Sequence, residues 1–379
     1  MKQKLHVLGL PWTSTTEEFV TCAYSMKLLK FGRMMTDAGY DVILYTGEDN
    51  EAVCAEHVSL ISNKERVGWF GEHDQNSVWG HISWEPTHPA WLAMNQRAIK
   101  EVSERAAPGD LLLPVAGLSQ KIVADSVPLL CCEPFVGYEG VFSNFCAFES
   151  HAWRHFLYGK YNLGNGDGRW YDTVIPNYFD PDDFSFYDVP GDYLLFVGRV
   201  TARKNPHVAA QIAGAMGLKL IVAGPGVSKV EPGVVYGDGC VLLGDHVEYV
   251  GPVGIEDRAD LMAGALALIA PTAFIEPFGG VAVEAMMSGT PAVTSDWGAF
   301  TETVKNGVSG FRFRTLAEGV EVTEKAFDLN RGLIRDYALE SFSLEAVAPL
   351  FEGWFDRLDG LRGEGWSALP TPDMSGVEV

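Results

Sequence analysis

The sequence predicts an α/β protein built from two parallel-sheet units. Three observations carry that prediction. The chain has 379 residues, 47% hydrophobic and 21% charged, the mix of a folded protein and a length comfortable for two domains. Short apolar runs alternate with longer helix-period stretches, and the alternation runs once through each half. Strands apolar on both faces and spaced by helices mean parallel sheets with βαβ crossovers.

In order, Leu5–Leu10, Asp41–Thr46, Leu111–Val115 and Val127–Cys132 read as buried strands, with helices at Glu18–Ala38 and Pro89–Ala106. Gly164 to Gly168 reads as a flexible loop. Asp180-Pro181-Asp182-Asp183 and Pro190-Gly191-Asp192 break the chain and place a linker at about residues 178–191. Beyond it, Tyr193–Val197, Lys219–Ala223, Val247–Val250, Leu266–Ala270 and Pro291–Thr294 read as strands. Pro206–Met216, Asp257–Ala265, Val281–Ser288 and Glu302–Lys305 read as helices. After Asn330 the chain is helix-forming, with an apolar, aromatic stretch over Phe342–Leu361, and from Ser367 it loses periodicity and is expected to fray. The expected organisation is an N-terminal unit over 1–177, a second over 190–335, and C-terminal helices and tail over 336–379.

Asp and Glu number 50 against 28 Lys and Arg, a formal charge of −22. Such a surface repels nucleic acid and anionic membrane at long range, although a cleft can still focus a local field of the opposite sign. No apolar run approaches a membrane span, and the N-terminus lacks a cleavable leader pattern. Six cysteines without C-x-x-C spacing fit free thiols in a reducing compartment, so a cytoplasmic protein is expected. The aromatic stretch over 137–161 reads as a core-packing helix. Trp69, Trp79, Trp84 and Trp91, interleaved with His73, His81 and His88, read as a long loop covering a core edge or stacking on a ligand.

Chemistry concentrates in two places. Ala270 to Ala285 begins at a strand's carboxyl end, passes through Pro277-Phe278-Gly279-Gly280 and opens a helix. Ligands of open α/β sheets bind at such ends, and the glycines let a helix N-terminus meet an anion. Glu276 and Glu284 beside that anion site need a neutral partner, and sugar hydroxyls fit. The second place is Phe196 to Pro206, where Arg199, Arg203 and Lys204 cluster in an otherwise acidic chain. A rigid guanidinium fork and a compact ammonium suit a diphosphate.

These residues resemble a known family. Glu276 to Glu284 is similar to the E-x7-E signature of retaining glycosyltransferases of the GT-B fold, family 4. Val174-Ile175-Pro176-Asn177 with Asp180 and Phe184, Gly198-Arg199 with Lys204-Asn205, Leu220 to Gly224, Ser288 to Val293, and Gly298 with Glu302 resemble its other elements in order. The resemblance spans about residues 174–315. It implies two Rossmann-like domains facing across a cleft, 1–177 taking the acceptor and 190–335 the nucleotide sugar, with C-terminal helices crossing back to the first. It implies transfer of a hexose from a nucleotide diphosphate sugar, UDP-glucose or GDP-mannose as leading donors, to an acceptor hydroxyl. The implied course is metal-independent, with retention and no cofactor. The acceptor stays open among a sugar, a lipid-linked sugar, a small metabolite and a modified base.

The resemblance implies that Glu276 orients the donor sugar and that Phe278, Gly279, Gly280 and Val281 offer backbone contacts. Arg199 and Lys204 would neutralise the leaving diphosphate, Glu284 would hold the ribose, and Gly9 would face the phosphates. Asp180-Pro181-Asp182 mimics a D-x-D metal motif but falls in the linker. The family's acceptor-side histidine has no match, because Val127–Cys132 runs into Glu133-Pro134; Glu133 and a histidine at 151 or 155, His155 foremost, are the acceptor candidates. Two other readings stand beside this one. A dehydrogenase is disfavoured by the absence of G-x-G-x-x-G after any strand. A non-catalytic nucleotide-sugar or carbohydrate-binding protein of the same fold is the alternative.

Overall fold

The computed structural model describes residues 3–73 and 83–360. In the first half, β1 (Lys4–Leu8), α1 (Ala23–Asp37), β2 (Asp41–Gly47), β3 (Glu56–Ile61), α2 (Asn63–Phe70), α3 (Pro89–Arg105), β4 (Leu111–Leu113), α4 (Lys121–Ser126) and β5 (Leu130–Cys131) follow in turn. The strands form a parallel sheet in the order β3-β2-β1-β4-β5. A smaller sheet joins β6 (Glu133–Val136), β7 (Cys146–Phe148) and β8 (Thr173–Val174), with α5 (His151–Tyr161) between the last two strands.

The second half holds β9 (Tyr193–Val197), α6 (Pro206–Met216) and β10 (Lys219–Ala223), then β11 (Val227–Glu231), β12 (Val234–Gly237), β13 (Cys240–Leu243) and β14 (Val247–Gly251). Next come α7 (Ile255–Gly264), β15 (Ala267–Ala270), α8 (Gly280–Met287), β16 (Ala292–Ser295), α9 (Phe300–Thr303), β17 (Gly310–Phe313) and α10 (Leu316–Ala326). Six of these strands form a parallel sheet ordered β14-β10-β9-β15-β16-β17, while β11–β13 make an antiparallel meander. In both parallel sheets the strand order reverses beside the first strand, at β1/β4 and at β9/β15. Open α/β sheets bind ligands at such a switch point.

The chain changes core twice, at adjacent places. Tyr178 is buried in the first core and Phe179 in the second; α11 (Arg331–Phe342) ends with Phe342 in the second, and Leu344 opens α12 (Leu344–Asp359) in the first. Phe179 N–H donates to the Phe342 carbonyl at 2.9 Å, and Leu344 N–H to the Phe179 carbonyl at 3.1 Å. Phe351, Trp354 and Phe355 then carry α12 back onto α1 and the first sheet. The C-terminal helices therefore cross back to the N-terminal half.

Several expectations change. The run from Glu18 to Ala38 is not one helix: a 3-10 turn over Glu17–Phe19 precedes α1, and the chain is non-helical at Thr21 and Cys22. The strand expected over Val127–Cys132 keeps two residues, because α4 caps at Val127 and the chain leaves the sheet after Cys132 for the smaller one. Trp69 and Trp91 lie in α2 and α3 rather than in a loop, and Trp91 is fully buried. Trp84 is 45% exposed and packs edge-on to Trp12 at 4.8 Å. Trp79, His81, Leu361 and the tail from Ser367 lie outside the described residues. Among the described residues no helix is long and apolar enough to cross a membrane.

Candidate active site

The two central strands at the switch point of the second sheet each end in a candidate loop. After β15 the chain runs to Gly279, in the left-handed region at φ 76°, where α8 begins. A Cβ on Gly279 would fall 2.3 Å from the Phe300 ring, so glycine is required on both counts. The first N–H groups of α8 have no partner within the helix and carry its positive end. Glu276 sits just before this turn, 6% exposed. Its backbone is held from outside: Ala299 N–H donates to the Glu276 carbonyl at 3.2 Å, and Gly298 lies so close that a Cβ there would be 2.8 Å from Glu276 N.

After β9, a 3-10 turn over Ala202–Lys204 directs Lys204 at the same place. The Lys204 ammonium ion-pairs with Glu276 Oε1, and the Thr272 hydroxyl lies 3.4 Å from that oxygen. Phe274 lies under Lys204 at 5.2 Å and under the Arg203 guanidinium at 4.2 Å. These contacts are local to the second half, and they bring Lys204 and Glu276 together from positions 72 apart in sequence.

A cleft of about 610 Å³ opens in front of this turn. Glu276, Phe278, Gly279, Gly280, Val281 and Glu284 line it on one side. The Phe278 ring is turned away into the second core, 2% exposed and stacked with Phe179 at 6.3 Å, which leaves its backbone for the cleft. Glu284 Oε2 lies 3.9 Å from Arg258 Nε.

Sequence reasoning missed the facing wall. Lys27, Lys30 and Arg33, three residues apart on α1, line the cleft from the N-terminal half. Lys27 ion-pairs with Glu149, and Arg33 with Asp180. Burial lowers the Lys30 pKa to about 8, against the opposing pull of Glu284 and Asp183. A basic residue every third position on one helix was the readable signal. That the helix faces Glu284 was not, because it depends on how the halves sit.

Four candidates are placed elsewhere. Arg199 is exposed, follows Gly198 at the end of β9, has no carboxylate partner among the described residues, and does not line the cleft. Gly9 is buried with both backbone groups engaged: its N–H donates to the Tyr45 carbonyl at 2.8 Å and its carbonyl accepts from Gln120 Nε2 at 2.7 Å. It is glycine because a Cβ would meet Thr46 at 2.7 Å, so the phosphate assignment does not fit.

Glu133 is fully buried and accepts from Tyr138 Oη and from the N–H groups of Phe142 and Ser143 at 2.7 to 2.9 Å. Burial pushes its pKa up while those donors pull it down. It braces the 138–143 loop and presents nothing to an acceptor. His155 and His151 are exposed on α5, and neither lines the cleft. The D-x-D mimic also resolves: Asp180 accepts from Asp182 N–H at 3.1 Å and pairs with Arg33, while the Asp182 side chain is 82% exposed.

The fold is of the GT-B type: two facing parallel-sheet halves with a cleft between them, and a carboxylate–lysine pair at a helix N-terminus beside it. Residues 187–315 match the family model described as glycosyl transferases group 1. That stretch thus resembles a group 1 glycosyltransferase domain, and it sits within a GT-B fold. A D-inositol 3-phosphate glycosyltransferase from Mycobacterium marinum is 36% identical over 151 residues, 38% of this chain and 31% of that one. Its counterpart from Mycobacterium tuberculosis is 36% identical over 140 residues, 35% and 28% of the two chains. The match thus spans under a third of those relatives.

Solved structures extend the likeness over the whole fold. AviGT4, a glycosyltransferase involved in avilamycin A biosynthesis, superposes with a TM-score of 0.66 at 21% identity, over 94% of this chain and 98% of that one. Sucrose-phosphate synthase from Thermosynechococcus elongatus gives 0.67 at 16% identity, over 95% and 100%. HepE from Anabaena, solved with UDP-glucose, gives 0.60 at 15% identity, over 94% and 100%.

Proposed function

We propose that the protein is a glycosyltransferase that moves a hexose from a nucleotide diphosphate sugar to an acceptor hydroxyl, with retention and without a metal. One observation carries the reading: Glu276, on the cleft wall at the glycine-started N-terminus of α8, is ion-paired with Lys204, which stands behind it and outside the cleft lining. Breaking a sugar–phosphate bond builds negative charge on the diphosphate. Lys204 and the α8 N–H groups are already oriented to stabilise it. Glu276 accepts donor-sugar hydroxyls, and Glu284 holds the ribose. Arg199, exposed after β9 and outside the cleft lining, meets the diphosphate only if the halves close around the donor. The group 1 family match covers Arg199, Lys204, Glu276 and Glu284, and HepE supplies a structural neighbour of the same fold solved with UDP-glucose.

The test is a panel of nucleotide sugars, free nucleotides and NAD, read by thermal unfolding and by release of the nucleoside diphosphate. UDP-glucose or GDP-mannose is expected to raise the melting temperature and to turn over. A shift with NAD alone would sink the reading. Binding of nucleotide sugars without turnover under any acceptor condition would favour a non-catalytic binding protein instead.

A further inference from the structure

Glu133 is spent on its own loop, but the smaller parallel sheet has carboxyl ends of its own, and two of them reach the donor cleft. Glu149 directly follows β7, Asn177 lies just beyond β8, and both line the cleft. Asn177 Nδ2 donates to Glu149 Oε2 at 3.0 Å. The Lys27 ammonium, on the same wall, ion-pairs with Glu149 Oε1. The carboxylate rests against the Gly137 backbone, where a Cβ would stand 2.6 Å from Oε1. Glu149 is 4% exposed. A carboxylate offers about four lone-pair sites, and among the described residues Lys27 and Asn177 are its side-chain donors, so acceptor capacity remains. A buried ion pair is weak support for a fold, because desolvation of the two charges offsets their attraction. In a cleft wall it serves differently: it sets a carboxylate beside an ammonium and an amide. That combination suits a hydroxyl, which donates one hydrogen bond and accepts others.

The position of Glu149 relative to Glu276 is fixed by packing. Ile275, immediately before Glu276, packs against the small core that holds Phe148, immediately before Glu149. Glu302 accepts the N–H groups of His151 and Ala152, in the helix turn that follows Glu149. The two carboxylates therefore end segments that lie side by side, one from each half, and both line the one cleft. With the donor sugar held by Glu276, a group resting on Glu149 approaches that sugar from the N-terminal half. The charge of this wall is largely answered within it. Lys27 is paired with Glu149 and Arg33 with Asp180, while Lys30 feels Glu284 and Asp183. Such a wall suits an uncharged, hydroxyl-rich molecule better than an anion, which would compete with carboxylates already in place.

We propose that Glu149, flanked by Lys27 and Asn177, receives the acceptor: its carboxylate accepts a hydrogen bond from the attacking hydroxyl of an uncharged polyol and turns that oxygen toward the donor sugar. In the transfer, the acceptor oxygen bonds to the anomeric carbon, the bond from that carbon to the diphosphate oxygen breaks, and the hydroxyl proton leaves with the diphosphate. The proposal rests on the glycosyltransferase reading and names the acceptor class of the same cleft. The test supplies UDP-glucose and GDP-mannose in turn, with glucose, myo-inositol or glucose 6-phosphate as acceptor. It reads the ratio of sugar transferred to the probe over sugar released to water. Glu149→Gln is expected to lower that ratio by roughly 10²-fold. Lys27→Met combined with Glu149→Gln leaves neither charge buried alone, and is expected to lower it to a similar extent. An unchanged ratio in both, even where both rates drop, makes the pair a structural brace and overturns the proposal. Wild-type transfer to glucose 6-phosphate alone, or to no probe, overturns it as well. Binding of UDP and GDP to the same samples, by calorimetry, is a separate readout. Nucleotide binding and donor hydrolysis alongside any of those results leave the donor site standing, whereas the absence of both in wild type removes the glycosyltransferase reading and the proposal with it.

Discussion

Glu302 reaches from the second half of the chain to the first turn of α5 in the other half: its carboxylate accepts the N–H groups of His151 at 2.8 Å and Ala152 at 2.7 Å. Ser150 already caps Trp153 N–H at 3.0 Å, so Glu302 satisfies two further free donors of that turn. Next to it, Ile275 packs against the small core that holds Trp153 and Leu157. The loop bearing Glu276 is therefore braced across the two halves, in addition to the paired crossings at Tyr178–Phe179 and Phe342–Leu344. Glu302→Ala is expected to cost about 1 kcal/mol of stability and to slow donor turnover by roughly 3- to 10-fold. Glu302→Gln should keep one bond and fall between. Unchanged unfolding and turnover in the alanine variant would show that the contact does no work.

Lys204 supplies the positive partner of Glu276 and stands beside the α8 N-terminus. Lys204→Ala should reduce turnover by about 10²-fold or more and weaken UDP binding, measured by calorimetry. Lys204→Arg should recover part of both, because charge returns but the compact geometry does not. Equal UDP affinity in wild type and Lys204→Ala would remove Lys204 from the diphosphate site.

Lys30 gives a pH signature. Its pKa is about 8 in the folded protein against 10.5 as the ordinary value. Between those two the unfolded chain binds more protons than the folded one, so this group makes stability rise with pH across that window. Below about 8 the cost of burying the charge is present in full. Lys30→Met is expected to melt higher than wild type at pH 7, and the difference should shrink toward pH 10. A difference that does not change with pH would contradict this.

Arg331 ties the second half together. Buried at 8% exposure, it donates to the carbonyls of Tyr187, Ala263, Ala265 and Ser288 and to Thr290 Oγ1. Arg331→Met leaves those acceptors unpaired and should cost about 3–5 kcal/mol, read by denaturant unfolding. A loss near zero would mean that water replaces the guanidinium.

The sequence carries the second half more openly than the first. Glu276, the glycine turn and Glu284 are neighbours in one strand–turn–helix, so their spacing alone places them, and β9 supplies Lys204 by the same local logic. The meander β11–β13 was also readable: Pro232-Gly233 and Asp238-Gly239 sit at its two turns, yet the alternating segments between them passed without a strand assignment. The facing wall needed the tertiary arrangement, since nothing local tells that Lys30 meets Glu284. Glu133 follows a strand's carboxyl end, the position that faces the cleft in a simple parallel sheet. The chain instead changes sheet at Glu133, and Phe135 enters the left-handed region at φ 53°.

On the proposed function, Glu276 acts on a nucleotide sugar in this cleft. The direct measurement is nucleoside diphosphate release from the best donor by wild type and by Glu276→Gln, with matched unfolding curves showing both folded. A loss of roughly 10²- to 10³-fold in the variant is predicted. Equal rates in the two proteins would contradict the account.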